Sequence, residues 1–385
     1  MGPRYALVYG VPVGVGGLGV QVGNALRALA LGAREVHAIG PGPAPHWAAP
    51  RNVVWHATPR SWTPLLRWTP LRRRHGLQQQ LSDRRIGEFA RKCIERLHPD
   101  LCYAFTQVAL ESLQWADASG VPSVLESPNG HIRSFRQVYL DEARRWCHGR
   151  YLGHPTAHTV RRVESEYRLA ARVRVSSGWA RASLAEGGVP AARISVLQQP
   201  VDLRRYAPAT PRPSSAGPLR LCFVGSLDLR KGFVYLLRAA RLLNGDVSVE
   251  LVGGTGDRCC RRLLDRERTG VDVRVAPGDP RPALARADLF VLPTLEDGSP
   301  FAVAEAMASG LPVITTTATG AAEWIEPDRS GWLAPPASEQ ALANALAGAG
   351  RCRASLTDMG AAARADTERR VAGCDERLTE WVRAQ

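Results

Sequence analysis

The 385-residue chain is 45% apolar and carries a net charge of +14, nearly all of it from arginine. That length predicts two domains with sizeable cores, and no apolar run approaches the roughly 18 residues of a membrane span. Helix-turn-helix, aromatic RNP-type strand and zinc-module patterns are missing, so the basic balance points to arginine bias, an anionic surface or acidic substrates, and not to nucleic acid.

The opening residues hold no apolar leader and pass straight into a strand, which predicts a cytoplasmic protein. Eight cysteines are scattered with no Cys-x-x-Cys. They are expected to be reduced, mostly buried thiols and not zinc ligands, with Cys259 and Cys260 on an ordinary helix face.

Residues 5–9 read as a strand that feeds the glycine-rich loop from Gly10 through Gly14, Gly16, Gly17 and Gly19. A helix over 18–31 follows, with Val22, Ala25, Leu26 and Leu29 on one face and Gly32 as its stop. With a strand at 35–39 this makes a β-loop-α-β unit. Its loop either brings backbone close to a ligand at the sheet edge or simply turns tightly.

Residues 47–75 interleave Trp47, Trp55, Trp62 and Trp68 with Arg60, Arg67, Arg72, Arg73 and Arg74, and Pro59, Pro64 and Pro70 bar a long helix. An irregular excursion is expected, either packed through its tryptophans, touching anionic lipid headgroups, or covering an acceptor. Helices over 81–97 and 110–118 and strands over 101–105 and 123–126 come next. The polar turn Glu126-Ser-Pro-Asn-Gly-His131 then leaves the carboxyl end of a strand, where ligands of open α/β sheets sit. A helix carrying Glu164, Glu166 and Tyr167, a strand over 174–177 and a helix over 180–186 complete the first domain, 1–206.

The Pro/Ser/Gly-rich stretch 207–218 is the predicted linker. A strand over 219–224 opens the second domain, 219–365, and Gly225-Ser226 to Arg230-Lys231-Gly232 is its first loop. After a helix over 233–243 and a strand over 247–252, the apolar run 289–292 is a buried strand. The loop Glu296-Asp297-Gly298 follows it, and then a helix with Ser299 as N-cap, Pro300 at its first position and Gly310 as its stop. Free N–H groups of Phe301, Ala302 and Val303 would form an anion site beside Asp297 and Glu305, with Arg230 and Lys231 on the same edge. A capped helix next to a solvated basic loop fits those residues as well.

The stretch from Asp297-Gly298 through Glu305-Ala-Met-Ala-Ser-Gly310-Leu-Pro-Val313 resembles the signature of the family-four retaining glycosyltransferases, the glycosyl transferases group 1. There an acidic residue and a glutamate are separated by seven residues. The resemblance implies an α/β protein of GT-B fold, two Rossmann-like domains facing each other across a cleft, with a final helix over 366–385 crossing back to the first domain. It also implies a metal-independent enzyme with no cofactor, which moves a sugar from a nucleotide-diphospho-sugar donor to a hydroxyl acceptor.

Carried over residue by residue, Glu305 receives the ribose hydroxyls and Asp297 the sugar. Arg230, Lys231 and the helix start at Gly298, Ser299, Pro300, Phe301 and Ala302 hold the diphosphate, and Gly16, Gly17, Gly225 and Ser226 line the donor. His131, in Glu126-x-Pro-Asn-x-His131, donates a hydrogen bond near the transferred sugar or the acceptor. Ser226 stands where the family often has arginine, with Arg230 as the replacement. Gln198-Gln199-Pro200 stands where Asn-Gly is usual, and Ala171-Arg172 where Ala-Asp is. An epimerase or hydrolase on the same fold and a two-lobed sugar-binding protein are the alternatives. Sugar, base and acceptor (glycan, lipid-linked or small metabolite) stay open.

Overall fold

The computed structural model describes residues 2–45, 47–58, 75–149, 151, 153–209 and 217–385. The chain forms two compact units. The first is Met1–Arg136, Leu152–Pro200 and Gly373–Gln385, and the second is Gln137–Tyr151 and Val201–Ala372.

In the first unit, β1 (Arg4–Val8), β2 (Glu35–Gly40), β3 (Val53–Ala57), β4 (Leu101–Phe105), β5 (Ser123–Glu126), β6 (Arg172–Val175) and β7 (Ile194–Val196) form one sheet in the order β3-β2-β1-β4-β5-β6-β7. Every pairing in it is parallel. Such a sheet is buried on both faces, and β1 shows why its sequence is apolar throughout. Ala6 and Val8 enter a cluster with Ile94, Leu113 and Val163. Tyr5, Leu7 and Tyr9 enter the opposite one, with Leu26, Leu29, Leu378 and Val382.

β3 lies inside the segment expected to be irregular. Trp47 and Trp55 meet edge to face there at 5.9 Å, and Trp47 also packs over Gly14 and Gly23. Trp62, Trp68, Arg60, Arg67, Arg72, Arg73 and Arg74 fall at 59–74, outside the described residues, as does 210–216 of the linker.

In the second unit, β8 (Leu219–Val224), β9 (Val247–Val252), β10 (Asp272–Val275), β11 (Leu289–Leu292), β12 (Val313–Thr316) and β13 (Gly331–Ala334) form a second parallel sheet, ordered β10-β9-β8-β11-β12-β13. Val201–Tyr206 belongs to this unit and not to the first. Arg364 donates to the Leu203, Tyr206 and Ala308 carbonyls at 3.1, 2.9 and 2.6 Å, which ties that turn to the second sheet's helices. The terminal helix is two helices, Leu356–Val371 and Cys374–Arg383, broken at Gly373 (φ 68°). Only the latter belongs to the first unit.

The segment Gln137–Tyr151 is a strap from the first half of the chain. Cys147 is disulfide-bonded to Cys259, so the expectation of eight reduced thiols is corrected for this pair. Helix Ile132–Cys147 brings the two Cα atoms to 6.1 Å, a proximity that residues 112 apart in sequence do not announce. Around the bridge, Tyr235 donates to the buried Glu142 carboxylate at 2.8 and 2.9 Å, and Arg238 lies 4.3 Å from the Trp146 ring. The other six cysteines are free thiols.

Candidate functional site

In the second sheet the chain leaves β8 toward β9 on one side and β11 lies on the other. Strand order reverses between β8 and β11, and the loops after them leave the carboxyl edge at the place where open α/β sheets bind ligands. In the β8 loop Gly225 N–H donates to Val252 O at 3.0 Å. Ser226 donates its hydroxyl to Asp228 at 2.5 Å, and Asp228 accepts from Lys231 N–H at 3.1 Å, capping the short turn Leu229–Lys231. Gly232 has φ 75°, and a Cβ there would collide with the Pro293 carbonyl, so only glycine lets the two loops lie together. Leu295 N–H then donates to the Arg230 carbonyl at 2.8 Å, and Thr294 Oγ1 at 3.2 Å.

That stitching brings Arg230, Lys231 and Asp297 into contact. The Lys231 ammonium pairs with the Asp297 carboxylate. Arg230 reaches the same carboxylate at 3.1 Å and the Glu296 carbonyl at 2.5 Å, with the Glu296 carboxylate at 3.5 Å. Burial would raise the Asp297 carboxyl's proton affinity, but the charges of Lys231 and Arg230 outweigh it and hold the group below its usual range.

Helix Phe301–Ala308 starts differently from the sequence expectation. Pro300 (φ −67°, ψ 117°) is its N-cap residue, and Ser299 does not cap it. The extended backbone of Pro300 puts its own carbonyl over the first turn, where it accepts from Val303 N–H at 3.1 Å. Val303 is therefore not one of the open donors. The Phe301 and Ala302 N–H groups, without a protein acceptor among the described residues, are open. One turn on, the half-buried Glu305 hydrogen-bonds the Tyr206 hydroxyl, and burial pushes its carboxyl up against the pull of Tyr206 and Arg205.

In the first sheet the order reverses between β1 and β4, and Gly16 and Gly17 stand exposed at the start of helix Gly16–Gly32, which follows β1. Glu126 is fully buried. Its carboxylate receives Arg174 at 2.7 and 2.9 Å, Gln199 at 3.2 Å, and the side chains of Gln21 and Tyr103. It thereby ties β5, β6 and the helix after the glycine loop together.

His131 is only 3% exposed, not a surface-loop histidine. Its backbone N–H donates to Ser183 Oγ at 2.9 Å, and its ring lies 5.2 Å from that of Tyr167. Any Cβ on Gly187 would strike that ring, so the seat requires glycine. Nδ1 accepts from Arg133 N–H at 3.3 Å, which leaves the proton on Nε2, and burial lowers the imidazole's proton affinity. His131 is thus a neutral donor.

Tyr139, Asp228 and Tyr206 were not found by sequence reasoning, and Glu296 was named only as part of the loop before the helix. Tyr139 is buried, stacks on Tyr151 at 5.6 Å and bonds Arg230. No local pattern signals such contacts. Among the described residues no three His, Cys, Asp or Glu side chains converge as metal ligands, and no helix is long and apolar enough to cross a membrane.

Residues 218–349 match the family described as glycosyl transferases group 1. The chain is 34% identical over 188 residues to WcaL of Escherichia coli strain K12, a candidate colanic acid biosynthesis glycosyltransferase, covering 45% of this chain and 46% of that one. It is 32% identical over 196 residues to the amylovoran biosynthesis glycosyltransferase AmsK of Erwinia amylovora, covering 47% and 48%. The chain thus spans about half the length of the curated relatives it matches. Among solved structures, sucrose-phosphate synthase from Thermosynechococcus elongatus aligns with a TM-score of 0.81 at 18% identity, over 99% of this chain and 98% of that one. Anabaena HepE in complex with UDP-glucose aligns at 0.71 and 17% identity, over all of both chains. The two parallel α/β sheets are those of the GT-B fold.

Proposed function

We propose, from the group 1 glycosyltransferase domain that this chain carries and the GT-B fold that it adopts, that it moves a sugar from a nucleotide-diphospho-sugar donor to a hydroxyl acceptor with retention of configuration. One observation carries the donor reading. Lys231 pairs with Asp297, on the loop that leads into the helix whose Phe301 and Ala302 N–H groups are open, and both loops leave the sheet where strand order reverses. The UDP-glucose complex of a similarly folded protein supports testing UDP-sugars first.

In this reading the diphosphate lies on the helix start and Lys231. Negative charge grows on the leaving phosphate as the glycosidic bond breaks, and preorganised donors stabilise that charge more than the ground state. Gly225 and Ser226 border the phosphates, Asp297 addresses the sugar, and Glu305, held by Tyr206, addresses the ribose. In the first unit Gly16 and Gly17 are assigned to the donor, and the Nε2–H of His131 is the hydrogen bond donated near the transferred sugar or the acceptor. The departing phosphate takes the acceptor proton, and the reaction needs no protein nucleophile and no metal. A peripheral contact with anionic lipid through residues 47–75 is part of the same proposal and is tested by vesicle sedimentation.

The assay is incubation with UDP-, GDP- and ADP-sugars, with and without hydroxyl acceptors, followed by product analysis. Glycosylated acceptor with the donor's anomeric configuration is expected. Free sugar or an epimerised donor as the sole product would replace transfer with hydrolysis or epimerisation. Binding without turnover across the panel would leave a sugar-binding protein.

A further inference from the structure

We infer that Arg230 is not a ligand of the diphosphate but the standing counter-ion of Asp297, a positioning residue that frees Lys231 to meet the ligand. This deepens the donor reading above and rests on it. It also changes the role expected from the sequence, in which Arg230 replaces the arginine missing at Ser226.

Arg230 is committed to the protein. It is 9% exposed, donates to the Glu296 carbonyl and to Asp297, faces the Glu296 carboxylate and bonds Tyr139. Its own carbonyl is fixed by Leu295 and Thr294. A planar guanidinium held at this many points does not swing without leaving buried acids uncompensated. Lys231 differs in every respect that matters for movement. Its ammonium has one protein partner among the described residues, the same Asp297, and it sits on a flexible four-carbon stem.

Two cations therefore share one carboxylate. When a diphosphate arrives, one of them must turn to it, and the one with a single bond is Lys231. Arg230 then keeps Asp297 neutralised, so the buried acid neither repels the phosphates nor holds the lysine back. Without Arg230, Asp297 would have Lys231 alone and would compete with the ligand for it.

The test is calorimetry with inorganic pyrophosphate and with UDP, at fixed ionic strength, on the full chain. Neither probe carries a sugar, so any role of Asp297 toward the sugar does not enter. Arg230→Gln is expected to weaken binding of both by about tenfold or more, the size of one charge-assisted contact. Adding Asp297→Asn to it removes the competitor and is expected to bring affinity back to within about threefold of wild type. Asp297→Asn alone, with Arg230 in place, is expected to bind at least as tightly as wild type. Lys231→Ala in that background is expected to lose the gain.

A double variant as weak as Arg230→Gln would mean that Arg230 touches the phosphates itself, and would overturn the inference alone. So would wild-type affinity in Arg230→Gln, or a tenfold loss in Asp297→Asn. A wild-type protein that takes up neither probe would overturn the donor reading and this inference with it. Should Arg230→Gln fail to fold, Asp297→Asn with and without Lys231→Ala still decides between the roles.

Discussion

At the scale of the residue, the proposed donor site turns on a lysine with a flexible stem and one protein partner among the described residues, Asp297. Lys231 is one of two lysines in a chain whose basic residues are otherwise arginine. An arginine there would carry the same charge, but its rigid fork would lock onto Asp297. Lys231→Ala is expected to reduce transfer about a hundredfold, roughly 3 kcal/mol of transition-state stabilisation, with an unchanged melting temperature. Turnover within a factor of three of wild type would remove Lys231 from the chemistry.

His131 gives a pH prediction with a definite sign. Burial lowers its folded-state proton affinity below the ordinary value of 6.5, so as pH falls through that value the unfolded chain takes up a proton that the folded one refuses. The contribution is nil above that pH and turns destabilising below it. His131→Gln, which has no ring to protonate, is expected to lose less melting temperature than wild type between pH 7.5 and 5.5. Parallel loss in both proteins would show that the imidazole is solvated.

At the scale of the element, the strap Gln137–Tyr151 shows what a disulfide adds to buried polar packing. Closing a chain segment of this length restricts the unfolded ensemble, and such bridges typically contribute about 2–4 kcal/mol. Cys147→Ser is expected to lower the urea midpoint of the second unit accordingly. Dithiothreitol should reproduce that shift in wild type and add nothing to the variant. Equal midpoints with and without reductant would show that Glu142, Tyr235 and Trp146 hold the strap unaided.

The strap also marks where the sequence stops being legible. Strands such as Leu289–Leu292 and the turn at Gly310 were readable, because an apolar run and a left-handed glycine are local signals. The loop pairing Lys231 with Asp297 was legible only as two motifs on one edge. Their contact follows from β8 and β11 being neighbours, which no local pattern encodes. Cys147 with Cys259, Tyr139 with Arg230, and Tyr206 with Glu305 are long-range meetings in which Cys147, Tyr139 and Tyr206 are unremarkable where they stand. Ser299 was misassigned because serine before proline satisfies the usual N-cap preference, yet the ψ of 117° at Pro300 moves the helix start one residue on.

At the scale of the whole molecule, the end of the chain completes the core that its beginning opens. Leu378 and Val382 are buried with Leu26 and Leu29, and Arg383 donates to the Leu31 carbonyl at 2.7 Å. The loops around Lys231 and Phe301, proposed to hold the donor, lie wholly within the other unit. Removing residues 373–385 should therefore separate the two. Stripping two buried aliphatic side chains from one sheet face would take about 3–6 kcal/mol from the first unit, a large part of a domain's net stability. Calorimetric scans are expected to show one transition lowered or lost and the other unmoved, with UDP still bound. Leu378→Ala is expected to shift the same transition by a smaller amount, about 2–5 kcal/mol for a buried leucine. If truncation abolished UDP binding along with the first transition, the donor loops would depend on the first unit, and the assignment of the nucleotide to residues 201–372 would have to be abandoned.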